Sequence, residues 1–361
     1  MNYLTSLRGI AAFVVVLFHI KHFLINYDFL APLQPLFSAG YLAVDFFFVL
    51  SGFIIAFRYQ SHFVNSIHKA EVVDFLCKRI ARIYPLHVFV LMLFLLVQLL
   101  LLATGREHDS VSYSFESFFF KLFLIDLWTL NDAHWQSWNV PSWTISGEWL
   151  AYIAFPFLVF TFIRLSVIVK ILAVALMALG LMLSYQSNSC SGIGDCIGEL
   201  GVFRCLVGFV LGVGVFNARR MVSHWDARVS IVMVVVAVSV LYLNSHFGLE
   251  NYWAIPSMFA LALLGVLGFD SVIHRLLNTK PFVYLGDISY SVYLTHVFVA
   301  DIMYKLLLRN GEQPSLAFLG GYLVAVILFS VASYHLVEVP ARKRLYRMLR
   351  PQAGKPKHAA S

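Results

Sequence analysis

The chain has 361 residues, of which 60% are hydrophobic and only 12% charged, and its mean hydropathy is +0.80. Those values exclude a soluble domain with a single anchor and describe an all-α polytopic membrane bundle. The net charge of +7 does not indicate a nucleic-acid partner, because the cations fall between apolar stretches. The four cysteines form no CxxC or His-rich cluster, so no metal site is expected.

Span one is expected over Leu7–Leu24, followed by an outer loop with Pro32 and Pro35. It lacks a cleavage-site pattern and is read as retained. Span two is Ala39–Phe57, and a polar segment, Arg58–Arg82, leads to span three, Ile83–Leu102. Phe115–Leu130 is apolar enough to cross, yet it contains Lys121 and Asp126. If it crossed, every later basic loop would change sides, so it is read as an interfacial or re-entrant helix on the outer side. Spans four to eight are Trp143–Ile163, Val167–Tyr185, Leu200–Phe216, Val229–Leu243 and Tyr252–Phe269. Spans nine and ten are Phe282–Tyr304 and Ser315–Val337. The total is about ten transmembrane helices, with both termini on one side. Most Lys and Arg gather on that side; Lys21, Arg106, Lys121, Arg204, Lys305 and Arg309 fall elsewhere. The termini are therefore expected to be cytoplasmic and the protein to be multi-pass in an inner membrane. The membrane domain covers 1–340. The basic tail, 341–361, suits lipid headgroups better than nucleic acid. Cys190 and Cys196 fall in a short outer loop, either bridged, which suits an oxidising exterior, or as two free thiols.

The polar residues inside spans carry the chemistry. Arg8 and His19 are eleven residues apart on span one, about three turns, so they share a face roughly 16 Å apart along the axis. By the same rise, His19, Asp45, Glu148 and His296 lie at roughly 16 to 22 Å above the cytoplasmic edge. Four ionisable groups from four spans in one layer suggest one polar cavity. A histidine beside a carboxylate there is a general base for a hydroxyl. His19 is read as that base, Glu148 as its partner and Asp45 as the second choice. At the foot of span three, Lys78, Arg79 and Arg82 cluster level with Arg8. Positive-inside charge explains them individually, but guanidiniums beneath a polar cavity also suit the phosphates of a donor with a long arm, such as coenzyme A.

These residues fall in six ordered motifs. They are Arg8-x10-His19, VDFFFVLSGFIIA with Asp45, FLCKRIARIYPLH with Arg79 and Arg82, NVPSWTISGEWLAYIAFP with Trp143 and Glu148, LGDISYSVYLTHVFV with Tyr293 and His296, and VEVPARK. Together they resemble the acyltransferase family 3 of membrane O-acyltransferases over nearly the whole chain. The chain departs from the pattern at Thr144 and Trp149, which leaves Glu148 the only carboxylate of its segment.

The resemblance implies transfer of an acyl group, most often acetyl, from cytoplasmic acyl-CoA to hydroxyls of exported or surface glycans. It assigns catalysis to His19 and Glu148. Acyl-CoA binding falls to Arg8, Lys78, Arg79 and Arg82, and the cavity or acceptor side to Asp45, Trp143, Tyr293 and His296. The expected partners are membrane lipid, acyl-CoA and a carbohydrate acceptor, with no bound cofactor. The tail is too short for the esterase-like domain of many relatives, so a stand-alone form is expected. A transporter of a polar solute also needs intramembrane charges, but the internal repeats and broken helices such proteins often show are not found.

Overall fold

The computed structural model describes residues 2–350 apart from 25–26, 106–112, 130, 163, 189, 191–193, 195, 223–226, 248–253, 269–271 and 309–312. The expected element ends Leu130, Ile163, Tyr252 and Phe269 lie outside the described residues. So do Arg106, Arg309 and the tail from 351 on, with Lys355 and Lys357. Among the described residues every regular element is helical. This follows from the composition, since a backbone in lipid must satisfy its own polar groups. The principal helices are α1 (Asn2–His19), α2 (Ala43–Phe63), α3 (Lys69–Ala103), α4 (Phe115–Leu122), α5 (Trp143–Phe162) and α6 (Val167–Ser187). They continue with α7 (Ile197–Val222), α8 (Ala227–Phe247), α9 (Ala254–Leu267), α10 (Ser289–Leu307), α11 (Leu316–Ser333) and α12 (Val339–Leu349).

Seven stretches among the described residues are long and apolar enough to cross a membrane. Two shorter apolar helices, Ala227–Leu243 and Ile255–Leu267, lie where spans seven and eight were expected. Two elements differ from the sequence reading. Span three does not begin at Ile83: α3 is already helical from Lys69, because no Gly or Pro interrupts it before Pro85 and Asp74 pairs with Lys78 one turn on, at 2.6 Å. Span nine is not one helix. Lys280–Asp287 and α10 meet at Ile288, and the Gly286 carbonyl is taken by Arg8 Nη2 (2.8 Å) and Ser289 Oγ (2.7 Å).

Close backbone approach sets the packing at two places. On α7, Gly208 and Gly212 face α2; a Cβ on Gly208 would lie 2.8 Å from Phe48 Cβ, and one on Gly212 would overlap the Val49 carbonyl. Small residues four apart let membrane helices meet this closely. Likewise a Cβ on Gly9 of α1 would lie 2.6 Å from Gly286 N, so α1 is pressed onto the 280–287 helix and Arg8 is fixed beside it.

One end of the bundle gathers the start of α1, the end of α2, the start of α3 and all of α12. Ser6 Oγ donates to the Leu277 carbonyl at 2.5 Å, Gln60 to Asn217 at 2.8 Å and Tyr346 to Asp74 at 2.9 Å. Both described ends of the chain lie here, and so do the arginines of the sequence motifs. At the opposite end Cys190 and Cys196 form a disulfide.

The segment 113–142 enters from that opposite end and does not cross. Lys121, fully buried, donates to Asp126 at 2.8 Å and to the Trp135 carbonyl at 2.9 Å, while its own carbonyl accepts from His87 Nε2 at 2.8 Å. His87 is sixteen residues short of the end of α3, about 24 Å by helical rise. The segment is therefore re-entrant, not interfacial. Leu124 and Trp138 turn it with positive φ, at 58° and 51°.

Candidate active site

At the end that holds the termini, the helices enclose a cavity of about 140 Å³. Its floor is cationic. Arg8 projects from the first turns of α1, and Arg79 and Arg82 from α3, where three-residue spacing puts them on one face. Arg8 donates to two neutral groups, Ser289 Oγ at 2.9 Å and the Gly286 carbonyl at 2.8 Å. Arg79 donates to the Tyr59 hydroxyl at 2.9 Å, and its Nε is buried with no partner among the described residues. Arg82 pairs with Glu338, which is buried and also accepts from Ser291 Oγ at 2.8 Å. Glu338 ends a π-turn, Tyr334–Glu338, a local widening of the helix of the kind often found at functional sites. The cavity's lining holds three arginines and one carboxylate, Glu148, and among the described residues only Arg82 of the three is in an ion pair, so its walls favour an anion.

Above the arginines α5 presents Tyr152, Glu148 and Thr144 on one stripe, each a turn further from the floor. The Tyr152 hydroxyl donates to Glu148 Oε2 at 2.9 Å, and Ser51 Oγ lies 3.3 Å from the same hydroxyl. The rest of the wall is mainly apolar, from Phe47, Leu50, Ile54, Ile83 and Ile145. At the top Tyr293 forms the boundary. Its hydroxyl donates to the Pro141 carbonyl at 3.2 Å and accepts from Thr144 at 3.0 Å, and its ring meets Phe47 edge-on at 5.7 Å.

His19 and His296 lie just beyond that boundary; the Tyr293 and His296 ring centroids are 6.0 Å apart. His296 is fully buried, whereas His19, the last residue of α1, is exposed. His296 Nδ1 sits 2.7 Å from the Tyr293 carbonyl, and His19 Nδ1 sits 2.9 Å from the Val15 carbonyl. Carbonyls only accept, so both Nδ1 atoms carry hydrogen. His296 Nε2 therefore offers its lone pair to His19 Nδ1–H, 3.3 Å away. His19 Nε2 is left unprotonated, and none of the described residues bonds it. A ring nitrogen with a free lone pair can accept a hydrogen bond or a proton.

The sequence reading thus needs correction at its centre. Glu148 is not the partner of His19. Thr144 is level with Tyr293; Glu148 lies a turn below and His296 a turn above, about 10 Å apart along the bundle. The depth estimate erred because α5 does not start at the membrane surface. The re-entrant segment delivers it already inside the bundle, where Asn139 Nδ2 donates to the Leu294 carbonyl at 3.0 Å. Asp45 does not reach His19 either. Arg204 of α7 grips both its oxygens, at 2.8 and 2.6 Å, and both residues are buried. Trp143 packs over that arginine, with 5.8 Å from guanidinium to ring, and not on the cavity. Lys78 points out of the cavity toward Asp74. Of the assigned residues, the structure brings together Arg8, Arg79, Arg82, Glu148 and Tyr293 around the cavity, and pairs His19 with His296 above it.

Arg204, Glu338, Tyr152 and Ser51 received no role from the sequence. Two carried a signal: Arg204 is a lone cation within a span, which demands an anion, and Glu338 stands in the closing motif.

A helical membrane bundle with a cationic cavity beneath a pair of histidines has parts that a group-transfer enzyme could use. Residues 1–335 match a family described as an acyltransferase domain, so the chain belongs to that family and is a multi-pass membrane acyltransferase. It is 25% identical to acyltransferase MdmB of Streptomyces mycarofaciens over 98% of this chain and 94% of that protein. It is 23% identical to O-acetyltransferase OatA of Staphylococcus aureus over 96% of this chain and 58% of that protein. A 92-residue stretch, 25% of this chain, is 36% identical to protein 2 in the picA locus of Rhizobium radiobacter, over 41% of that protein. No solved structure matches the chain.

Proposed function

We propose that the protein moves a short acyl group, acetyl first, from acyl-CoA to a hydroxyl of a surface or exported glycan, across the cytoplasmic (inner) membrane. The observation that carries this reading is the stacking of a cationic cavity directly beneath an exposed histidine base. The termini end, rich in cations, is the cytoplasmic one by the positive-inside rule. The donor's phosphates meet Arg8, Arg79 and Arg82, whose guanidiniums suit phosphate oxygens. A cavity of about 140 Å³ is small against the roughly 300–1,000 Å³ of ordinary ligand pockets, so it takes the slender thioester end and not the whole donor. Glu148, Tyr152 and Ser51 supply hydrogen bonds to the polar groups of that arm.

In the transfer, His19 Nε2 takes the proton of the acceptor hydroxyl while its oxygen bonds to the thioester carbonyl carbon. The carbon–sulfur bond then breaks, and the thiolate leaves with the proton from His19. His296 holds the imidazole's tautomer and shares the positive charge that forms on it. The name of OatA supports an acetyl group and an oxygen acceptor.

The test uses the full chain in proteoliposomes or its host, with radiolabelled acetyl-CoA and mass spectrometry of the surface glycan. His19→Ala is expected to lower acetylation by about 10²–10⁴-fold at unchanged protein abundance. Normal acetylation in that variant would remove the assignment.

A further inference from the structure

The cavity is too small for the nucleotide of the donor, and that nucleotide has to lie somewhere beside the arginines. A second groove, of about 320 Å³, opens at the same end of the bundle between the last turn of α2 and the start of α3. Arg79 joins the two: it lines the cavity, donates to the Tyr59 hydroxyl and stands over the Tyr59 and Phe75 rings at 5.0 and 6.0 Å. Tyr59 and Phe75 are themselves walls of the groove, so one layer of side chains separates the two spaces.

The chemistry of the groove is the reverse of the cavity's. Lys78 is its cation, neutralised by Asp74 at 2.6 Å, which leaves Glu71 as an unbalanced carboxylate. Glu71 Oε2 is buried and has no hydrogen-bond partner among the described residues. A buried oxygen left without a donor is costly, and it marks where a donor belongs. A negatively charged groove repels phosphates. One lined by aromatic rings with an unsatisfied acceptor receives a flat ring bearing an amino group. Resting on the donor proposed above, we infer that this groove binds the adenine of acyl-CoA. Its exocyclic amine donates to Glu71 Oε2 and its ring lies against Tyr59, while the phosphates cross to Arg79 and the arm enters the cavity. Lys78 stands at the rim, 5.9 Å from the centres of both Tyr59 and Tyr346.

The experiment measures binding to the detergent-purified full chain, so that no acceptor is needed. The probes are coenzyme A, 4′-phosphopantetheine, which lacks the nucleotide, and a coenzyme A analogue with hypoxanthine in place of adenine. Glu71→Gln is expected to weaken coenzyme A about tenfold and to leave 4′-phosphopantetheine unshifted. The hypoxanthine analogue is expected to bind the wild type about tenfold more weakly than coenzyme A, and to recover in Glu71→Gln, whose amide can donate to the 6-oxo group. Equal weakening of coenzyme A and 4′-phosphopantetheine, or no weakening of either, overturns the nucleotide site while leaving the donor in place. A wild type that binds none of the three overturns the donor reading and this site with it.

Discussion

Two groups of buried charges lie at different levels of the bundle, and they are built to opposite ends. Asp45 and Arg204 meet in a two-pronged pair, both buried, under Trp143 and between tightly packed α2 and α7. Arg8 and Arg79 instead rest on neutral partners and face open space. The first arrangement is complete and asks for nothing; the second is one anion short. Intramembrane charge alone therefore does not mark a site. What marks it is charge whose partners leave it unbalanced beside a cavity.

The comparison is broken most forcefully at the closed pair. Asp45→Ala strands a guanidinium in the core and is expected to cost about 3–5 kcal/mol of stability, read as a loss of thermal stability in detergent. Replacing both residues, Asp45→Leu with Arg204→Met, is expected to return most of that loss, because two apolar side chains leave no charge to bury. If the double variant is as unstable as the single one, the pair has a role beyond packing. A smaller effect comes from the disulfide between Cys190 and Cys196. It closes a short loop far from the cavity, so Cys196→Ser is expected to cost about 2 kcal/mol with no change in coenzyme A affinity. The open arginines behave differently again. Arg79→Gln is expected to leave the melting temperature within a degree or two while weakening coenzyme A about tenfold, some 1.4 kcal/mol. A drop in stability as large as that of Asp45→Ala would erase the distinction between the two groups.

Much of this was legible in the chain itself. Hydropathy located the apolar helices, and the parity of basic loops marked Phe115–Leu130 as a segment that does not cross, interfacial or re-entrant. The Arg8–His19 spacing put both residues on one face about three turns apart; the structure sets Arg8 on the cavity floor and His19 beyond its roof, not inside it. The pairing of His19 was not legible. A linear count of depth assumes that each helix starts at the membrane surface, and α5 starts below it because of the re-entrant segment. Nor does such a count give rotation, which turns Glu148 toward Tyr152 and Asp45 toward Arg204. Arg204 and Glu338 each had a cue, an unmatched sign within an apolar run or a place in a motif. Partners more than 150 residues away in the chain, as Asp45 is from Arg204, emerge only once the helices are packed.

Tyr293 bears on a separate matter, the insulation of the membrane. Its hydroxyl is tied to Pro141 and Thr144 and its ring, flanked by Phe47, caps the cationic chamber with a layer of aromatic carbon. That layer stands between the arginines and the imidazoles. On the reaction proposed above, such a roof lets the two sides of the bilayer stay electrically separate while an acyl group passes between them.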